Sequence, residues 1–440
     1  MKHLATTIVI LILATTNLTA RNINVAAIDS FINHIECYNQ GIGSVAVAHN
    51  GNTLYTRDFG KGAVAPHNNI YQIGSITKLF TATIIHRLCA EGKLSLDSTL
   101  DTFFPHIASA DSITIRQMLN HTSGLADYTI KQDSLVTWLS QPATQQEILD
   151  EITRQGTIFE PGTGTRYSNT AYYLLGQIIE QLYHTPYHSV VDSIIARPLN
   201  LCNTKNAINV ATQPAPSYRL NTANRWQQID DFYFPNVTAV GDISSTTHDL
   251  ITFINAIFNG SMADSTSLSV MLPQAQSSFG CGLMLLPFYQ HIFYGHAGDT
   301  YGSHTVIMHN PADSITIALA LNGCSAPRND LLIGIASAIY DTPYEYPDYS
   351  ELQQYTPSAT ELAQYEGSFN SSLINLPMYI TYNPIDGNLS LQLKGQPALW
   401  LEAKRPGVFV NSPTGSAISF KDKDRFIFKQ FGRIIIYTRQ

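Results

Sequence analysis

Ser75-Ile76-Thr77-Lys78 sets a hydroxyl and an amine three residues apart, and on a helix that spacing puts both on one face, where the ammonium reaches the hydroxyl. Serine is a poor nucleophile at its free pKa and needs a neighbour to take its proton. A lysine in a partly desolvated site loses its own proton more easily and can fill that role. Tyr167-Ser168-Asn169 follows the turn Pro161-Gly162-Thr163-Gly164 and offers a phenol that a nearby cation makes easier to ionise. His296-Ala297-Gly298 is expected just ahead of a strand, where glycine lets a substrate backbone approach closely. Each fragment alone is weak, because a Ser-x-x-Lys pair also serves as a helix cap beside a solvated lysine. Ser-x-x-Lys and Tyr-x-Asn nevertheless each occur once, and the second His-x-Gly, His49-Asn50-Gly51, is accounted for by a hairpin turn. In this order the three fragments point to nucleophilic acyl transfer.

Other chemistries lose ground by what is missing from the sequence. There is no His-Glu-x-x-His, no Walker loop and no Gly-x-Ser-x-Gly elbow. The five cysteines, Cys37, Cys89, Cys202, Cys281 and Cys324, are scattered and form neither a disulfide framework nor a metal knuckle. No cofactor and no metal is expected. His121 precedes Thr122-Ser123-Gly124 and reads as a residue that ties a turn rather than one that transfers protons. Phe232, Tyr233 and Phe234 serve equally as pocket lining or as core.

The elements needed to position these groups can be read in outline. Ser44–His49 and Thr53–Phe59 flank an Asn-Gly step and form a hairpin. Apolar residues at helical spacing predict helices over Ile76–Leu88, Thr114–Asn120, Asn169–Leu182 and Thr246–Phe258, the last opened by a Thr-x-x-Asp box. Strands follow at Ser303–His309 and Ser314–Leu321, then a helix over Asn329–Tyr340. This order predicts an α/β (α+β) fold, an antiparallel sheet flanked by helices with a helical lobe beside it. A proline- and tyrosine-rich linker over 343–358 leads to 359–440, whose short alternating runs, such as Tyr379–Tyr382 and Ile434–Tyr437, predict a small all-β barrel.

The remaining bounds come from length, charge and the first residues. At 440 residues the chain holds two or three domains, and 44% hydrophobic against 13% charged residues excludes disorder. A net charge of -8 argues against a nucleic-acid surface and leaves a small-molecule or peptide substrate as the expected partner. Residues 1–20, with Lys2, an apolar Ile8–Ala14 and a small-residue end at Ala20, read as a signal peptide, which places the first folded domain at 21–342 and the protein in the periplasm or outside the cell. No membrane span is expected after cleavage, and the sequence gives no oligomeric state.

At these motifs the chain resembles the serine β-lactamase and penicillin-recognising family, in the branch of class C β-lactamases, D-alanyl-D-alanine carboxypeptidases, D-aminopeptidases and related esterases. Ile115–Leu125, Arg197–Leu201 and Val240–Ser245 share in the likeness, and the C-terminal part is similar to the lipocalin-like domain appended to some members. The resemblance implies Ser75 as the acylated nucleophile, Lys78 and Tyr167 as its shared base, and Asn169, His296, Gly298 and Asp299 as substrate-binding groups. It further implies that Asn169 holds Lys78 and that the Ser75 and Asp299 amides form the oxyanion hole. An exported serine hydrolase acting on an ester or amide follows, of esterase, D-aminopeptidase or carboxypeptidase type. The alternatives are a non-turnover penicillin-binding or sensor protein of the same fold, or a true β-lactamase. Ala297 and Asp299 depart from the Lys-Thr-Gly of typical β-lactamases and are expected to disfavour a substrate carboxylate unless a neighbouring arginine reverses the field. Asp242 replaces a common glycine, with no role the sequence assigns.

Overall fold

A computed structural model describes residues 23–60, 69–129, 139, 141–208, 213–221, 225–274, 277–349, 355–373, 377–384, 387–394, 398–411, 414–430 and 433–440. The expected signal segment and part of the expected linker lie outside them. Helix α1 (Val25–Cys37) leads into the hairpin β1 (Gly41–His49) and β2 (Asn52–Phe59), then β3 (Tyr71–Gln72). The helical lobe contains α2 (Thr77–Ala90), α3 (Ile115–Leu119), α4 (Gln145–Gln155), α5 (Asn169–Tyr183) and α6 (Tyr187–Val191). Short strands β4 (Lys205–Asn206), β5 (Tyr218–Leu220), β6 (Trp226–Gln228) and β7 (Ile243–Ser245) precede α7 (Thr247–Phe258) and α8 (Ser265–Met271). The chain returns to the sheet through β8 (Met284–Phe288), β9 (His291–Asp299), β10 (His304–Asn310) and β11 (Ile315–Cys324), and closes it with α9 (Arg328–Tyr340).

The main sheet runs β2-β1-β11-β10-β9-β8, all antiparallel along this path. Strand alternation divides its two faces. Val45, Val47, Leu319 and Leu321 meet Phe31, Ile32, Leu331 and Ile335 of α1 and α9 in one core. Ala46, Ala48 and Ala318 face the lobe instead, and these small side chains let α2 and α7 lie close, with Phe80 stacked on Phe253 at 4.0 Å. An antiparallel sheet with helices on both faces and a helical lobe beside it is what the sequence predicted.

Local chemistry sets the ends of the elements. Thr114 and Gln117 form a reciprocal capping box at α3. Thr246 caps α7 by accepting from the Asp249 amide, but the Asp249 carboxylate turns away to Asn203 and Thr204, so the expected box is half-formed. His296-Ala297-Gly298 precedes β10, as expected, and itself forms the last residues of β9, a strand the sequence reading did not place because the glycines in this run masked its pattern.

Beyond α9, α10 (Ala359–Ala363) precedes a closed antiparallel barrel of β12 (Gly367–Asn370), β13 (Met378–Asn383), β14 (Asn388–Leu393), β15 (Leu399–Arg405), β16 (Val408–Asn411), β17 (Ser416–Asp422), β18 (Arg425–Gln430) and β19 (Arg433–Arg439). Phe369, Phe409, Phe426 and Tyr437 are buried in its core. Among the described residues no helix is long and apolar enough to cross a membrane.

Candidate active site

Ser75 stands on a single tight turn, Gly74–Ile76, immediately before α2. It caps neither element by its side chain, which removes the bland reading of the Ser-x-x-Lys pair. The turn needs Gly74 twice over: its φ is +49°, and a Cβ there would come 2.8 Å from the Asp299 amide nitrogen. From the other side, a Cβ on Gly298 would lie 1.9 Å from the Ile73 carbonyl and 2.9 Å from the Ser75 nitrogen. The end of β9 and the Ser75 turn thus meet backbone to backbone, and this contact brings the Ser75 and Asp299 amides together. Thr305 of β10 fastens it by donating to Ile73 O at 2.9 Å.

One turn into α2, Lys78 is fully buried and its Nζ donates to Ser75 Oγ at 3.0 Å. Burial pushes the amine down to about 7, against a smaller upward pull from Asp127. Its other bond runs to the Val240 carbonyl at 3.0 Å, where the sequence reading had placed Asn169. Asn169 Nδ2 is instead held by Asp127 at 3.0 Å, though the residue still borders the site cavity.

Tyr167 precedes the Ser168-capped α5 and lines the same cavity as Ser75, whose side chain acts on its phenol. Burial drives its phenol well above the usual range, a stronger effect than the lowering by Ser75. His121, at φ +63°, accepts the Ser168 amide at 3.2 Å and lies 4.4 Å ring to ring from Tyr167. It therefore ties the turn, and it also supports the tyrosine. Lys78 Nζ lies 4.9 Å from the Tyr167 ring centre. His296 is buried, its ring 6.4 Å from that of Tyr167, and burial lowers it to about 3, so it is neutral at ordinary pH.

The third motif departs from expectation in a way the sequence had left open. Asp299 Oδ1 is bonded by His304 Nδ1 at 2.8 Å and by the Arg328 guanidinium at the start of α9. Despite the cost of desolvation, these two hold its carboxyl well below the usual range. The arginine thus neutralises Asp299 and is itself occupied. Ala297 packs towards the α1 and α9 core, which takes away the geometric basis for a missing hydroxyl at that position.

Ser75, Tyr167, Asn169 and Asp299 open onto a cavity of about 1000 Å³, whose far wall includes Trp400 and Glu402 of β15. Arg219 of β5 lies 5.0 Å from the Trp400 ring centre, a cation–π contact between the hydrolase sheet and the barrel. Sequence reasoning missed Asp127, His304 and Arg328: Asp127 lies 42 residues from Asn169 and Arg328 lies 29 from Asp299, separations that no local pattern reports, while His304 lies five from Asp299 but meets it only once β9 and β10 pair.

With this geometry, comparison with known proteins is decisive for family. The Beta-lactamase family model matches residues 31–338. The chain belongs to the beta-lactamase family. It is similar to Penicillin-binding protein 4* of Bacillus subtilis (strain 168), 29% identical over 49% of this chain and 52% of the relative. Penicillin-binding protein 4 of Amycolatopsis lactamdurans is 24% identical over 60% of this chain and 75% of that protein. The chain spans about half the length of the first of these curated relatives. Among solved structures, the D-amino acid amidase from Ochrobactrum anthropi SV3 complexed with L-phenylalanine amide superposes with a TM-score of 0.62 at 25% identity, covering 72% of this chain and 99% of that one. The octameric penicillin-binding protein homologue from Pyrococcus abyssi shares the fold over 94% of this chain and 100% of its own, with a TM-score of 0.64 at 21% identity.

Proposed function

We propose that this beta-lactamase-family chain hydrolyses an amide or ester through a Ser75 acyl-enzyme, and that its substrate lacks a carboxylate at the Asp299 end. The observation that carries the reading is the buried Lys78 amine, 3.0 Å from Ser75 Oγ and lowered to about 7. Near neutral pH a large share of Lys78 is unprotonated and takes the Ser75 proton as Oγ attacks the carbonyl carbon. The carbonyl electron pair moves to its oxygen, stabilised by the Ser75 and Asp299 amides, each worth roughly 3 kcal/mol in such sites. Collapse expels the amine or alkoxide, protonated through the Lys78 ammonium and Tyr167, and leaves the acyl-enzyme. Water then attacks, gives its proton back through the same pair, and the acid departs. Because burial keeps Tyr167 protonated, we assign it to proton delivery and Lys78 to the base role, in place of an equally shared base.

D-amino acid amides are the first substrates to try, supported by the amidase neighbour, and the leader-like Lys2–Ala20 supports action outside the cytoplasm. A fluorophosphonate should label Ser75, and Ser75→Ala should lose turnover of D-phenylalanine amide and of a p-nitrophenyl ester together. Ser75 caps no helix, but its removal takes one acceptor from the buried Lys78 amine, so stability should fall by about 1–3 kcal/mol with the fold kept. Labelling at another residue, or hydrolysis that survives the substitution, would sink the assignment.

A further inference from the structure

Half of what aims Lys78 is a backbone atom, the Val240 carbonyl. That carbonyl follows Ala239, whose φ of +65° is left-handed backbone that a residue with a side chain adopts reluctantly. Something must hold the turn there. Asp242, 1% exposed, accepts the Ala239 amide on Oδ1 at 3.0 Å and meets His188 Nε2 of α6 on Oδ2 at 2.7 Å. The Ala239 carbonyl in turn accepts Thr81 Oγ1 of α2 at 2.7 Å, one turn along from Lys78. Helix α5 closes over the same residue, for a Cβ on Gly176 would come 2.4 Å from Ala239 Cβ. The Asp242 carboxylate therefore links α6 to the turn that fixes the lysine, and it touches neither Ser75 nor the site cavity.

We propose that Asp242, braced by His188, is a positioning residue for Lys78: it locks the Ala239 turn so that the Val240 carbonyl keeps the amine dry and directed at Ser75. The inference rests on the reading of Lys78 as the base. The ionisable groups that face Asp242 are His188 and Tyr187 from α6, with Tyr128 from the lobe, so the carboxylate has one basic partner and no direct pairing with Lys78.

The test is the rate at which a fluorophosphonate labels Ser75 in the full chain, followed from about pH 5 to about pH 9. In Asp242→Ala the turn relaxes, water reaches Lys78 and its proton returns. Labelling at neutral pH should slow about tenfold and the acidic midpoint should rise by about one unit, with the rates converging at high pH. Asp242→Asn keeps an oxygen for the Ala239 amide and should restore most of the wild-type profile. His188→Ala removes a partly exposed ring and should move the midpoint in the same direction by less. A midpoint that stays in place in Asp242→Ala, with the rate lowered equally at every pH, would overturn the proposal. If that variant does not fold, an unmoved midpoint in His188→Ala overturns it. An unlabelled Ser75 in the wild type is a different result, which removes the hydrolase reading and the inference with it.

Discussion

Lys78 and Tyr167 are driven in opposite directions by the same cause, burial, and in the proposed mechanism this separates the base from the acid at Ser75. For Lys78 the folded value lies below the free one, so the reactive neutral form is present above about pH 7 and is lost as pH falls through it. The acidic limb of kcat/KM should therefore fall near pH 7, and a limb near pH 10 would mean a solvated lysine. Lys78→Ala and Tyr167→Phe should each cost orders of magnitude in acylation, and the double variant little more than the worse single one, because they serve one proton path. Additive losses in that cycle would mean independent roles. A second prediction belongs to Asp299. Its pairing with His304 and Arg328 occupies a guanidinium that borders the site cavity. Asp299→Asn keeps the shape and frees the guanidinium, so activity on carboxylate-bearing substrates should rise about tenfold relative to neutral amides, the gain of one charge-assisted hydrogen bond. Equal changes on both substrate classes would show that Arg328 does not read the substrate.

The contact between β9 and the Gly74–Ile76 turn is the structural element on which the proposed mechanism depends, since it sets two amides side by side. Gly298→Ala would drive a methyl into the Ile73 carbonyl, 1.9 Å from the ideal Cβ position, and β9 or the turn must move. We expect acylation to fall at least a hundredfold, in line with losing an oxyanion donor, while circular dichroism stays native. Preserved turnover would show that the turn does not depend on this approach. The sequence made such elements legible where the pattern is local: the Asn50-Gly51 hairpin, α3 with its Thr114 box, and α9 within a residue of its start. Helix α1 was missed although Ile28, Phe31, Ile32 and Ile35 repeat at helical spacing beside Asn24, a cap that accepts the Ala27 amide. What no local pattern carries is the pairing of Arg328 with Asp299 or of His188 with Asp242, because the sheet and the lobe bring those residues together only after the chain has closed.

Across the whole molecule the histidines are unevenly distributed. All 14 lie at or before His309, so the barrel strands contain none. Within the hydrolase, His86 in α2, His296 in β9 and His309 in β10 are buried, and burial lowers them to about 4, about 3 and about 4. His121 is buried and lowered as well. The folded form of each thus resists a proton that the unfolded chain accepts below 6.5. Their contribution to stability is complete above that value and drains away as pH falls towards the folded values. Each group removes up to ~1.4 kcal/mol per pH unit in that window, and three together are enough to exhaust a typical domain's ~5–15 kcal/mol over about two to three units. The hydrolase part should therefore lose its melting temperature steeply below about pH 6.5, while the histidine-free barrel responds much less. Calorimetry should show the thermal transition dividing in two as the buffer is acidified, with Ser75 labelling lost in the lower one. His309→Asn, which takes no proton, should flatten the slope of the lower transition. It should also lower stability at neutral pH, since it gives up the tilted ring contact with Phe258 at 4.4 Å and the 2.9 Å bond to Thr316. A single transition that shifts uniformly with pH would show instead that the barrel and hydrolase unfold as one unit, coupled through contacts such as Arg219 on Trp400.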